Sequence, residues 1–174
     1  STMLVEAGLA CLAEGGITAF TVDNICRKSG ASRGLIAHHF GGKDGLLAAV
    51  YAAAYAPLIA DLSGATGLEA LLDQLFSPQH FTRTGLNVWL ALWGEVAVNP
   101  TLQAEHRAHY AIFRSALARA IAARHAAVDA EALAMVVIAL VDGLWLELCI
   151  APDLMTAARA RALCDGVLAA HGVG

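Results

Sequence analysis

The stretch from Thr21 to Lys43, TVDNICRKSGASRGLIAHHFGGK, constrains the fold of this chain more than any other part. Thr21 and Ser32 each stand at a helix start, where a hydroxyl can accept a hydrogen bond from a free backbone N–H. Gly30 stands where the first of two short helices must end in a left-handed residue. Two short helices joined by such a turn form a helix-turn-helix, whose second helix can enter the DNA major groove. A small capped helical hairpin without a DNA role is the alternative.

The second helix is predicted to have an inward-facing and an exposed side. Ile36 and Phe40 are four residues apart and should face inward, whereas Leu35 is not assigned to either side. Arg33 is predicted to contact a base directly, because its guanidinium fork matches the guanine edge. His38 and His39 are predicted to touch phosphate or base edges. The predicted DNA-binding residues are Thr21, Ser32, Arg33, Gly34, Ala37, His38, His39 and Lys43, with Thr21, Ser32 and Lys43 holding phosphates.

The distribution of charge bears on whether DNA can be the partner. The net charge of the chain is −4. Residues 1–50 carry four basic and four acidic side chains, whereas residues 51–174 carry seven basic and eleven acidic ones. The acidic part can therefore be turned away from phosphate while the neutral part approaches it, although a basic face is usual in a DNA-binding domain. The four cysteines are far apart, which predicts buried thiols in a reducing cytoplasm.

Apolar periodicity and helix-stop signals predict an all-α fold of about nine helices, with no strand pair. The helix-turn-helix domain is predicted over residues 1–46 and an effector-binding and dimerisation bundle over 47–174. The helical pattern is already in register at Met3, so we expect that an N-terminal arm is missing. The predicted helices outside the helix-turn-helix are 2–14, 43 to about 57 or a turn beyond, 69–76, 84–98, 101–125, 129–149 and one that ends near 171.

The segment Ala130–Ala151 is long and apolar enough to raise the question of a membrane span. Asp142 lies near its middle, where a carboxylate costs about 2.5–3.5 kcal/mol on insertion scales, and no Lys or Arg anchors either end. We therefore expect a buried bundle helix and no membrane. With the last helix, it can pair with a second copy in a four-helix bundle. In the last helix the apolar residues are Leu154, Ala158, Ala162, Leu163, Val167 and Ala170, with Arg159, Arg161 and Asp165 facing outward.

Aromatic residues in the second half of the chain suggest a ligand pocket. Trp89 and Trp93 share one helix face, and Asp142 and Trp145 share another. Ring faces attract cations and a buried carboxylate needs a partner, so this combination suits a positively charged ligand. Ordinary core packing of the aromatic residues is the alternative. The predicted ligand-binding residues are Trp89, Trp93, His106, Tyr110, Phe113, Asp142 and Trp145.

The pattern resembles the tetracycline-repressor (TetR) family of bacterial transcription regulators. The resemblance rests on the segments Phe20–Val22, Gly30–Gly34, His38–Phe40 and Lys43–Leu47, and on the tryptophan-containing segments Val88–Trp93 and Val141–Leu146. It is strongest to the choline-responsive, BetI-like branch, although Leu35 and Ala37 replace the usual Thr and Tyr. The resemblance implies a homodimeric repressor that binds an inverted-repeat operator through its helix-turn-helix. It also implies release by a small molecule, with a quaternary ammonium compound such as choline as the first candidate.

Three other interpretations stay open from the sequence. The same fold could sense a neutral lipophilic compound. A helical metal protein or enzyme could use His106 and His109, although zinc usually takes four ligands and the sequence offers no recognisable set. A membrane-associated helical protein is the third. We predict no enzymatic activity, no cofactor and no metal, and a cytoplasmic location.

Overall fold

The computed structural model describes residues 1–173, which form nine α-helices and no strand. The predicted all-α fold is confirmed. The helices are α1 (Thr2–Ala19), α2 (Val22–Ser29), α3 (Arg33–Phe40), α4 (Lys43–Gly64), α5 (Leu68–Leu75), α6 (Arg83–Val96), α7 (Pro100–Ala122), α8 (Ala130–Ile150) and α9 (Ala157–Ala170).

Local signals place the ends of the first helices. The backbone of α1 leaves helical geometry at Gly15 and Gly16, where a helix end is predicted, and resumes for a short turn. The Thr21 hydroxyl accepts a hydrogen bond of 3.2 Å from the Asn24 N–H, so the predicted cap of α2 is confirmed. Gly30 ends α2 in the predicted left-handed conformation, with φ of 69°.

Two expectations about helix ends are wrong. Ser32 occupies the N-cap position of α3, but its hydroxyl makes no capping bond with any described residue. The Ser29 hydroxyl closes the turn instead, by accepting a bond of 3.2 Å from the Ala31 N–H. Helix α4 continues to Gly64, two turns past Pro57. A proline removes one backbone donor, and the buried Leu58 and Leu62 hold the following turns in place.

The chain divides into two compact units. The first contains Ser1–Pro57 and Asn87–Ala108, and the second contains Leu58–Leu86 and the chain from His109 onward. The first has its own core, with Leu12, Phe20 and Ile25 fully buried, and the second has Leu72 and Trp145. Helices α4, α6 and α7 contribute residues to both units. The predicted domain boundary at residues 46 and 47 stays a prediction.

Among residues 1–173, three helices are long and apolar enough to cross a membrane by length and composition: α1, α4 and α8. The capped start of α8 is that of a regular helix, since the Asp129 carboxylate accepts a bond of 3.0 Å from the Ala132 N–H as predicted. The expectation that no membrane is involved stays a prediction.

Candidate DNA-binding surface and effector site

Helix α3 presents the predicted polar side to solvent. Ile36 is buried at 2% exposure and Phe40 is half-buried, which matches the inward side predicted from their spacing. Leu35 is 42% exposed and so lies on the outer side. The rings of His38 and His39 contact each other edge to face, with centroids 5.0 Å apart. All eight predicted DNA-binding residues are exposed: Thr21, Ser32, Arg33, Gly34, Ala37, His38, His39 and Lys43.

Carboxylates neutralise two of the four cations in this part of the chain. The Arg33 guanidinium pairs with Asp23 in the first turn of α2. The Lys28 ammonium pairs with Glu14 at 2.8 Å. Lys43, at the first position of α4, forms no ion pair with any residue in 1–173, so it is available for phosphate. The predicted DNA contacts themselves stay predictions.

An aromatic cluster lies in the first unit. The Tyr55 and Trp89 rings are 3.7 Å apart between centroids, and Tyr51 lies 4.7 Å from Tyr55. The Tyr51 Oη and His106 Nδ1 atoms are 2.7 Å apart, and Trp93 Nε1 donates a bond of 3.4 Å to Tyr55 Oη. Sequence reasoning missed Tyr51 and Tyr55, although their four-residue spacing on α4 is the signal that it used for the tryptophans.

A different group lies in the second unit, between α7 and α8. The Tyr110 hydroxyl donates to the Asp142 carboxylate, with distances of 2.8 and 2.9 Å to its two oxygens. These residues line an open cleft together with Arg114 and with the apolar side chains of Met135, Ile138 and Ala139. Burial raises the pKa of the Asp142 carboxyl from 3.8 to about 6, while the Tyr110 hydrogen bond acts in the opposite direction. A cation beside this carboxylate would stabilise its charged form.

Phe113 and Trp145 belong to the same unit and are each 2% exposed. The Phe113 ring packs edge to face against Tyr110, with centroids 6.3 Å apart. The Trp145 Nε1 atom is buried and has no hydrogen-bond acceptor among the described residues. A buried N–H without an acceptor is unusual in a folded protein, because it has lost its hydrogen bonds to water.

The seven predicted ligand-binding residues therefore fall into two groups. Trp89, Trp93 and His106 lie in the first unit, and the other four in the second. That all seven form one pocket stays a prediction. Within residues 1–173, no three His, Cys, Asp or Glu side chains are grouped as potential metal ligands.

Helices α8 and α9 expose several large apolar side chains. Arg161, predicted to face outward, is only 19% exposed, and this expectation is wrong. Its guanidinium binds Glu69 and Asp73 of α5 as well as Asp165, which draws it inward. Val167, predicted on the apolar face, is half-buried. The exposed apolar residues of the last two helices and their connection are Met135, Val136, Leu146, Ile150, Leu154 and Leu163, with Ala158, Ala162 and Ala170 among the small ones.

Comparison with known families decides what this arrangement is. Residues 4–50 match the family of bacterial regulatory proteins named after TetR, and residues 64–172 match the C-terminal domain of BetI-type transcriptional repressors. The chain belongs to the TetR family of bacterial transcription regulators. The family predicted from the sequence is confirmed, and this TetR-family protein is a BetI-type transcriptional repressor, not an enzyme.

Individual relatives agree over nearly the whole chain. The regulator BetI 2 of Chromohalobacter salexigens is 33% identical, over 92% of this chain and 82% of its own. A transcriptional regulator from Pseudomonas aeruginosa PAO1 has a crystal structure that matches with a TM-score of 0.84 and 35% identity, over 95% of this chain and 86% of that one. A regulator from Saccharomonospora viridis, crystallised in complex with choline, shares the fold at 22% identity and a TM-score of 0.77, over 96% and 94% of the two chains.

Proposed function

We propose that this repressor binds an inverted-repeat operator as a homodimer, in the cytoplasm, and that a cationic small molecule releases it. The exposed α3 is the observation that supports the DNA role. Arg33 would read a base edge, with His38 and His39 beside it, while Thr21, Ser32 and Lys43 would hold phosphates. Gly34 and Ala37, which carry little side chain, would let the helix lie close to the base edges. Half-sites are expected about 34–36 Å apart, or a multiple of that spacing.

Substitution of Lys43 tests the phosphate role. Lys43→Ala should weaken binding to all DNA sequences about equally and lower the slope of log affinity against log salt by about one. Arg124→Ala removes an exposed cation of the second unit and serves as the charge-matched control. A slope that stays at the wild-type value in Lys43→Ala would show that Lys43 holds no phosphate. Footprinting that finds no protected palindrome upstream of its own or neighbouring genes would remove the operator proposal as a whole.

Asp142 is the observation that carries the effector proposal. It is half-buried, forms no ion pair with the described residues and accepts hydrogen bonds only from Tyr110. A quaternary ammonium group beside Asp142 would neutralise the carboxylate, and the Tyr110 ring, which also lines the cleft, would add cation–π attraction. The choline complex of the Saccharomonospora viridis regulator supports this ligand class.

Calorimetry with matched ligands tests this site. Choline and betaine aldehyde are expected to bind, whereas 3,3-dimethyl-1-butanol, the uncharged analogue of choline, should bind more weakly. Asp142→Asn should reduce choline binding and leave the uncharged alcohol unaffected. Choline affinity should also fall as the pH drops below about 6, because the carboxyl is then protonated. Absence of binding at millimolar choline would remove the quaternary ammonium proposal and leave the repressor intact.

A neutral lipophilic effector is the second candidate. Met135, Ile138 and Ala139 make one wall of the cleft apolar, and a raised pKa allows Asp142 to be uncharged when it binds. Equal or tighter binding of 3,3-dimethyl-1-butanol than of choline would favour this candidate. In either case, a ligand that prefers the non-binding arrangement of the two DNA-binding domains by about 1–3 kcal/mol would suffice for release.

The homodimer proposal rests on the exposed apolar side chains of α8 and α9. Burying them against the same residues of a second copy would form the four-helix bundle expected from the sequence. Leu163→Glu should therefore give monomers by light scattering and lose operator binding. Val98→Glu, at an equally apolar residue that is 76% exposed elsewhere, is the control and should stay dimeric. A dimeric Leu163→Glu protein would place the interface on another surface.

A further inference from the structure

The pair formed by Arg33 and Asp23 links the two helices of the helix-turn-helix. Asp23 lies in the first turn of α2, and Arg33 is the first residue of α3. Both are largely exposed, with side-chain exposures of 72% for Arg33 and 66% for Asp23. Only Nη2 of the guanidinium contacts Asp23; its other nitrogens have no partner in the part of the chain that is described. Asp23 thus holds one nitrogen of the guanidinium, and the other N–H groups stay available to donate hydrogen bonds to DNA.

We propose that Asp23 is a specificity-determining residue, which positions Arg33 for base recognition. The proposal rests on the DNA role proposed for Arg33. A long arginine side chain has many rotamers, and an exposed one can reach a phosphate as readily as a base. The Asp23 carboxylate fixes one rotamer through a charge-assisted hydrogen bond and repels phosphate at the same place. Together these effects favour contact of Arg33 with the base edge over contact with the phosphate backbone. The affinity for specific DNA therefore rises relative to the affinity for non-specific DNA.

The neighbouring pair of Lys28 and Glu14 provides a matched control. Glu14 is 64% exposed and neutralises a cation of α2, as Asp23 neutralises one of α3. Lys28 is not among the predicted DNA contacts. Asp23→Asn and Glu14→Gln each remove one negative charge from the same compact unit. A general electrostatic effect on DNA binding should therefore appear in both variants, whereas an effect on base recognition should appear only in Asp23→Asn.

The experiment first identifies the base pair that Arg33 reads. Affinities of the wild-type protein and Arg33→Ala for operators with single base-pair changes would locate it, as the position at which only the wild-type protein discriminates. At that position Asp23→Asn should lose about fivefold or more of the discrimination, within the range of a good bidentate contact. Glu14→Gln should retain the discrimination while binding all sequences more tightly. In the Arg33→Ala background, Asp23→Asn should cause no further loss of discrimination.

Several outcomes would overturn the proposal. Unchanged discrimination in Asp23→Asn would mean that Asp23 does not position Arg33, and increased discrimination would mean that it competes with DNA. Either result leaves the repressor and its operator intact. If Arg33→Ala discriminates like the wild-type protein at every position, the base-reading role of Arg33 fails and the inference with it. Thermal melting monitors folding, and Asp23→Ser replaces Asp23→Asn if the latter does not fold, since serine is also accepted near a helix start.

Discussion

The helix-turn-helix and the Tyr110–Asp142 site differ in how their candidate residues relate to the core. In the helix-turn-helix the candidate residues are exposed, and separate residues such as Ile25 and Ile36 hold the fold. In the effector site the candidates Phe113 and Trp145 are themselves core residues. Function and stability should therefore be separable by mutation in the first region and coupled in the second.

The two regions also treat charge differently. Asp23 and Glu14 are exposed and paired with cations, and such surface pairs contribute about 0–1 kcal/mol to stability. Asp142 is half-buried, accepts hydrogen bonds from a neutral hydroxyl and forms no ion pair with the described residues. Salt therefore weakens the exposed pairs further, whereas burial disfavours the charge of Asp142 and a cationic ligand can stabilise it.

The largest expected effect comes from Trp145→Ala. Removing a fully buried indole should cost about 3–5 kcal/mol of unfolding free energy through lost burial and a cavity. Arg33→Ala, at an exposed site, should change stability by no more than about 0.5 kcal/mol while reducing operator binding. Denaturant unfolding at one fixed protein concentration measures the change in unfolding free energy of each variant. A comparable loss of stability in Arg33→Ala would break the contrast between the regions.

Gly45→Ala tests whether the helix-turn-helix has a rigid connection to α4. A Cβ at this position would lie 1.9 Å from the backbone carbonyl oxygen of Phe40, so the end of α3 must shift. We expect a loss of about 1–3 kcal/mol, or more, together with weaker operator binding. Gly94→Ala is the control, because a Cβ there meets no described atom within 4 Å apart from its chain neighbours and the nearby backbone of its own helix. It should stabilise α6 by about 0.5–1 kcal/mol, since alanine favours a helix interior.

Asp142→Asn should reveal the unfavourable charge as a pH dependence. The pKa of the folded carboxyl is raised to about 6, so the folded state retains a proton that the unfolded state has released between about pH 4 and 6. Wild-type stability should therefore fall across that range, by about 1–3 kcal/mol, and stay low above it. Asp142→Asn should lack this component and be the more stable protein at pH 7. Parallel pH profiles for the two proteins would contradict the assignment.

The smallest expected changes in stability come from removing the hydroxyl groups of Thr21 and Ser32 in the helix-turn-helix. Thr21→Ala removes a capping bond and should cost about 1 kcal/mol. Ser32→Ala removes no capping bond and should leave stability within about 0.5 kcal/mol. If both serve as phosphate contacts, both variants should nevertheless bind DNA less tightly. Thermal melting and binding assays on the same samples would separate the capping role from the DNA role.

The sequence by itself determined the features that depend on near neighbours along the chain. The cap at Thr21, the left-handed Gly30, the cap at Asp129 and the exposed side of α3 each follow from residues within about one helical turn. The family was also readable from the sequence, because its motif is a set of fixed spacings on two short helices. Such features need no knowledge of which helices pack together.

Only the tertiary structure decided which distant groups meet. Arg161 is drawn inward by Glu69, which is 92 residues away, and Tyr51 meets His106 across 55 residues. The second turn of α4 beyond Pro57 and the missing cap at Ser32 also went against the local signals. The physical reason is that packing and long-range ion pairs outweigh the helix propensities of individual residues, which amount to a few tenths of a kcal/mol to about 1 kcal/mol per residue.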